Sequence, residues 1–103
     1  MDKATILDIS GDIDLAHSGE VRKAVLLEIR DKRTPKLILN LRDVNYIDSS
    51  GVASLVEGLK ASRDMGSRLI LLNLSPIAYE VLQLSKLVRV FEICDSEEKA
   101  LES

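Results

Sequence analysis

Thr5, Leu7, Ile9, Ile13 and Leu15 alternate with Asp8, Ser10, Asp12 and Asp14, and Gly11 falls in the apolar register. A period of two sets one face of an extended chain against a core and the other toward water. Gly11-Asp12 in the middle marks a turn or bulge, so two short strands are expected, Ala4–Ser10 and Ile13–Leu15. Ser18 is placed to cap a helix from Gly19 to about Asp31, with Val21, Ala24, Val25 and Ile29 inward. Leu26 and Leu27 broaden that stripe and Glu28 interrupts it; Asp31-Lys32-Arg33-Thr34-Pro35 is a polar connection.

Two later runs do not alternate. Residues 36–41 (KLILNL) and 68–73 (RLILLN) are almost continuously aliphatic, as strands covered on both faces are. Between them Val52, Leu55, Val56 and Leu59 recur at i, i+3, i+4, i+7, which predicts a helix from near Ser50, with Gly66 as its left-handed end. Ser75-Pro76 opens another helix with inward Ile77, Val81, Leu84 and Val88, unless it stops near Lys86. A short strand over 89–93 follows, and Asp95 or Ser96 caps a terminal helix through Leu101. The order β-β-α-β-α-β-α-β-α predicts one α/β domain over residues 1–103. Its sheet is mixed and mostly parallel, of four to five strands with about four helices, the opening strand antiparallel.

Composition narrows the chemistry. The chain has 103 residues and a net charge of −3, and Ile, Leu and Val supply 34 residues, enough for a core without metals or disulfides. Tyr46, Tyr79 and Phe91 are the only aromatics, so neither a base-stacking platform nor a clustered basic groove is at hand, and nucleic acid is not expected as a partner. Cys94 is the single cysteine and His17 the single histidine, which precludes an intramolecular disulfide and a His/Cys zinc site of ordinary spacing. No G-x-S-x-G, G-x-G-x-x-G or P-loop motif occurs. The start, Met1-Asp2-Lys3-Ala4, lacks a signal-peptide layout, and no apolar run nears 18 residues. The expectation is a cytoplasmic protein that is no enzyme, with no cofactor, no metal and no direct membrane insertion.

Function concentrates at Asn45-Tyr46-Ile47-Asp48-Ser49-Ser50-Gly51, where a buried strand runs into the N-terminus of the best amphipathic helix. Such junctions lie at the carboxyl ends of strands, where α/β sheets receive ligands and partners. Asp48, Ser49 or Ser50 could simply cap the helix, yet one such residue suffices and three stand together. On a wheel, the side opposite Val52, Leu55, Val56 and Leu59 carries Ser50, Ala53, Ser54, Glu57 and Ala61, with Gly58 beside them. Small residues there allow another backbone to approach; sequence economy explains them equally well.

The segments Leu7-Asp8-Ile9-Ser10-Gly11-Asp12-Ile13-Asp14-Leu15, Leu37-Ile38-Leu39-Asn40-Leu41, Ile47-Asp48-Ser49-Ser50-Gly51-Val52 and Gly66-Ser67-Arg68-Leu69 resemble a STAS domain, specifically a bacterial anti-sigma factor antagonist. The likeness spans essentially the whole chain in order. It implies partner switching: the unmodified antagonist binds an anti-sigma factor that is also a serine kinase, phosphorylation breaks the complex, and a serine phosphatase resets it. Carried onto this chain, Ser50 is the expected phosphoacceptor and Ser49 the lesser candidate. Asp14, Asp48, Ser49, Ser50, Gly51, Ala53, Ser54 and Glu57 form the expected partner surface, with Ala53 standing where the family often has Gly. The alternative is a STAS subunit of an ABC transporter, docking by the same surface on its ATPase without phosphorylation. His17, Cys94 and the group Arg30, Lys32, Arg33 and Lys36 read as ordinary: a solvent residue, a small hydrophobe and a solvated helix end.

Overall fold

The computed structural model describes residues 4–103; residues 1–3, on which the signal-peptide argument partly rests, lie outside the described residues. Strands and helices alternate as β1 (Ala4–Ile13), α1 (Ser18–Leu26), β2 (Lys36–Ile47), α2 (Ser49–Asp64), β3 (Arg68–Leu72), α3 (Pro76–Leu84), β4 (Glu92–Cys94) and α4 (Glu97–Glu102). The sheet order is β1-β2-β3-β4, and every pairing is parallel. The α/β class holds, and the antiparallel opening strand is corrected: the two short strands are one, and it pairs parallel with β2. Gly11 supplies the reason. At φ 83 it bends the chain without reversing it, and the register slips there and again between Asp8 and Ser10. Ten residues of β1 thereby lie along twelve of β2. Gly11-Asp12 encodes a bulge rather than a hairpin.

Leu37, Leu39, Leu41, Leu69 and Leu71 face one side of the sheet, in a core with Val25, Ile29, Leu55, Leu59, Ala78, Leu82 and Phe91. Ile38, Ile70 and Leu72 face the other, beneath Ala100. Helices α1 to α3 therefore share one face and α4 covers the second, which is why residues 37–39 of β2 and 69–72 of β3 are aliphatic on both sides. The buried Lys36 reaches the end of α4, its Nζ donating to the carbonyls of Ala100, Leu101 and Ser103 at 3.3, 3.0 and 2.7 Å. A cation there satisfies carbonyls that a helix end leaves unpaired.

Two helix readings change. The regular part of α1 ends at Leu26, and a wide π turn, Leu27–Asp31, follows, closed by the Lys32 N–H donating to Leu27. Ala24, still in the regular helix, is exposed, and the altered phase turns Glu28 inward, where Lys32 Nζ and Thr34 Oγ1 each donate to it at 2.9 Å. The Lys32 hydrogen bond holds the Glu28 carboxyl below its usual range, against the opposing effect of desolvation. In α3 Ala78 and Leu82 are fully buried, and Val81 and the later Val88 pack partly buried against the same core as expected; Leu84 is 77% exposed, because the helix stops there and Lys86 turns to φ 59. The strand expected over 89–93 is β4, shorter and slightly later. Gly66 does take the left-handed conformation (φ 68) after α2, and Ser96 caps α4.

Candidate functional site

At the carboxyl ends of β1 and β2, two segments are tied together by one side chain. The chain leaves the sheet after Ile13 because Asp14 folds it into a turn. The Asp14 carbonyl accepts from the Ser18 N–H at 2.7 Å, and its carboxylate accepts from the His17 N–H at 3.0 Å. Asp48 then clamps that turn to α2. Its Oδ1 accepts from the Ser50 and Gly51 N–H groups at 2.8 and 3.1 Å, and its Oδ2 from the Leu15 N–H at 3.1 Å. The Asp48 N–H donates to the Ile13 carbonyl at 3.3 Å.

This geometry resolves the cluster of capping residues. Asp48 is the cap of α2, and among the described residues neither the Ser49 nor the Ser50 hydroxyl has a hydrogen-bond partner. The two serines differ in setting: Ser49 is exposed, while Ser50 is half-buried and its carbonyl accepts from Ser54 Oγ at 3.1 Å. Gly51 is buried, with the Ile13 backbone directly above it. Asp48→Ala should therefore cost more than an ordinary cap, which is worth about 0.5–2 kcal/mol, since three N–H groups lose their acceptor at once. Thermal melts check this, and an unchanged midpoint would remove Asp48 as the clamp.

The wheel reading of α2 needs correction. Ser54 is 6% exposed, and its hydroxyl also stands 3.2 Å from the Ser18 carbonyl. Gly58 and Ala61 are buried too, and a Cβ on Gly58 would come within 2.8 Å of Val25 Cγ1. The small residues serve α1, which packs closely there. The exposed stripe of α2 is Ser49, Ala53, Glu57 and Lys60, with Glu57 bridged to Arg22 of α1. Ser18 is not the side-chain cap of α1 either; that helix starts from the Asp14 turn.

Asp14 and His17 form a pair, His17 Nδ1 standing 2.7 Å from the Asp14 carboxylate. Their hydrogen bond lowers the Asp14 pKa and raises that of His17. The raised imidazole stabilises the turn at low pH and ceases to as pH climbs through its value. The lowered carboxyl stabilises it at higher pH and ceases to on acidification, so the pair is complete only between the two. Leu15, expected to face inward as a strand residue, is instead 79% exposed. The hydrogen bonds that Asp14 accepts from the His17 and Ser18 N–H groups turn the chain there and end the alternation at Ile13. Among the described residues, no group of three His, Cys, Asp or Glu side chains could hold a metal, and no helix is long and apolar enough to cross a membrane.

What fold and site define is a parallel α/β domain whose built feature is a clamped loop and an exposed helix start. The chain belongs to the STAS domain family, whose profile matches residues 1–100. It is 26% identical to the anti-sigma F factor antagonist of Paenibacillus polymyxa over 93% of this chain and 82% of that one. It is 30% identical to the anti-sigma-B factor antagonist of Listeria monocytogenes over 82% of this chain and 74% of the relative. A Thermotoga maritima crystal structure, described as a candidate anti-sigma factor antagonist, superposes with a TM-score of 0.89 at 28% identity, over 99% of this chain and 87% of that one.

Proposed function

We propose that this protein is an anti-sigma factor antagonist of a bacterial partner-switching pathway. As a single STAS domain over residues 1–103 it acts in the cytoplasm by binding, not by catalysis. Its partner is an anti-sigma factor that is also a serine kinase; phosphorylation ends the complex and a serine phosphatase restores it. The names of the relatives support the partner class. The observation that carries the switch is the redundancy at the helix start: Asp48 alone caps α2, which leaves an exposed serine hydroxyl with no structural duty.

Accessibility favours Ser49 over Ser50, the acceptor expected from the resemblance. A kinase must reach the hydroxyl, and Ser49 is exposed whereas Ser50 is half-buried, so Ser49 is the phosphoacceptor in this reading. A phosphoserine adds about −1.5 to −2 charges, which the helix N-terminus tolerates in the free protein. In a complex the same charge lies beside Asp48, with Asp14, Ser50, Gly51, Ala53 and Glu57 as the surrounding contact residues, while Ser54 lies inside the fold.

With its kinase and ATP, the protein should gain one phosphate on the tryptic peptide 43–60. Fragmentation should place it on Ser49; Ser49→Ala should abolish incorporation and Ser50→Ala should not. Phosphate on Ser50 would restore the second serine as the acceptor, and phosphate only outside this peptide would end the reading.

A further inference from the structure

Leu15 is the most exposed of the large hydrophobic residues described, at 79%, and it sits on a fixed backbone. A lone exposed leucine needs no explanation on a mobile loop or a helix surface. This one is held by its own N–H on Asp48, by the Asp48 N–H on Ile13, and by the Asp14 turn beneath it. The carboxylate that holds Leu15 also caps the helix start next to Ser49, so both residues border Asp48 on one surface. A loop whose backbone is held this way loses little backbone entropy when a partner covers it. The turn that carries it is acidic: Asp14 and Asp48 flank Leu15, and Asp12 and Glu20 line a groove with His17, the partner of Asp14.

Resting on the reading above, we infer that Leu15 is the apolar anchor of the partner surface and inserts into an apolar socket edged by Lys or Arg on the kinase. Burial of a leucine side chain accounts for the anchor's effect, and the acidic surroundings select a cationic edge.

The test is calorimetry against the purified kinase that phosphorylates the protein, with thermal melts alongside. Leu15→Ala should bind about 10- to 100-fold more weakly at an unchanged melting temperature, and Leu15→Met should bind nearly as the parent does. Leu84 is the control. It is 77% exposed at the end of α3, which runs back from the carboxyl ends of the strands, so Leu84→Ala should bind normally. Parent affinity should fall as salt is raised. Leu15→Ala binding within twofold of the parent, or Leu84→Ala losing as much, overturns the anchor alone; indifference to salt overturns the cationic edge. Failure of the parent to bind or be modified by any such kinase overturns the functional reading and the anchor with it.

Discussion

Ser49→Asp should fold as well as the parent and bind the proposed kinase partner about 30- to 150-fold more weakly. The two effects separate because Ser49 is the first residue of α2. A carboxylate there interacts favourably with the helix N-terminus, by about 0.3–1 kcal/mol, which offsets repulsion from the neighbouring Asp48. In the complex that compensation is not enough. An unpaired charge buried at an interface costs about 2–5 kcal/mol, and Asp, carrying less charge than phosphoserine, belongs in the lower part of that range. Acidic residues around Leu15 do not contradict this, because in the inferred complex cations on the partner's edge would already face Asp12, Asp14 and Glu20. Salt distinguishes the two contributions. Long-range attraction is screened, whereas a desolvated charge packed against Asp48 is not, so the ratio of parent to Ser49→Asp affinity should hold as salt rises. Ser49→Ala should bind like the parent, since in the proposed switch the unmodified surface is the competent one. Equal affinity for Ser49→Asp and the parent would sink the charge switch and favour the ABC-transporter subunit that docks without phosphorylation.

The parts of this molecule legible in its sequence are those where one local rule acts alone. KLILNL and RLILLN read as strands buried on both sides, Ser75-Pro76 as a helix start, and Asp95 or Ser96 as the next one, of which Ser96 is the cap. The helix after Asp48 and its junction with β2 were legible for the same reason. Elsewhere two rules competed. Alternation carried Leu15 inward, but the hydrogen bonds of Asp14 end β1 two residues earlier and turn Leu15 to solvent. A wheel placed Ser54 and Gly58 outward, but a wheel cannot register that α1 lies along that flank and needs small residues beneath Val25. Of three adjacent capping types, composition could not say which one caps. Only the distances from Asp48 to Leu15, Ser50 and Gly51 free Ser49 for another role.

Gly51→Ala is the substitution that should hurt folding most for its size. A Cβ at this position would lie 2.2 Å from the Ile13 carbonyl oxygen, 2.9 Å from Ile13 Cγ2 and 3.0 Å from Ile47 Cγ2. The nearest obstacle is backbone at the end of β1, so no side-chain rotation relieves it. Overpacking typically costs about 1–3 kcal/mol, and a backbone obstacle points to the upper end. Ala is the better helix former by about 1 kcal/mol, which leaves a net loss of about 1–2 kcal/mol and a melting point roughly 4–16 °C lower. Gly19→Ala isolates the cause, because that glycine also lies in a helix, α1, and its Cβ would meet nothing within 4 Å. It should melt at or above the parent temperature. The strain in Gly51→Ala must be relieved by parting α2 from Ile13, and the Asp48 N–H bonds that same carbonyl while the Asp48 carboxylate holds Leu15. Loss of the clamp should therefore accompany the loss of stability, visible as a shifted Leu15 amide resonance and weaker kinase binding even well below the melting point. A Gly51→Ala protein that melts within 2 °C of the parent, with its Leu15 amide unmoved, would mean that the helix start and the end of β1 are not packed as closely as these distances require.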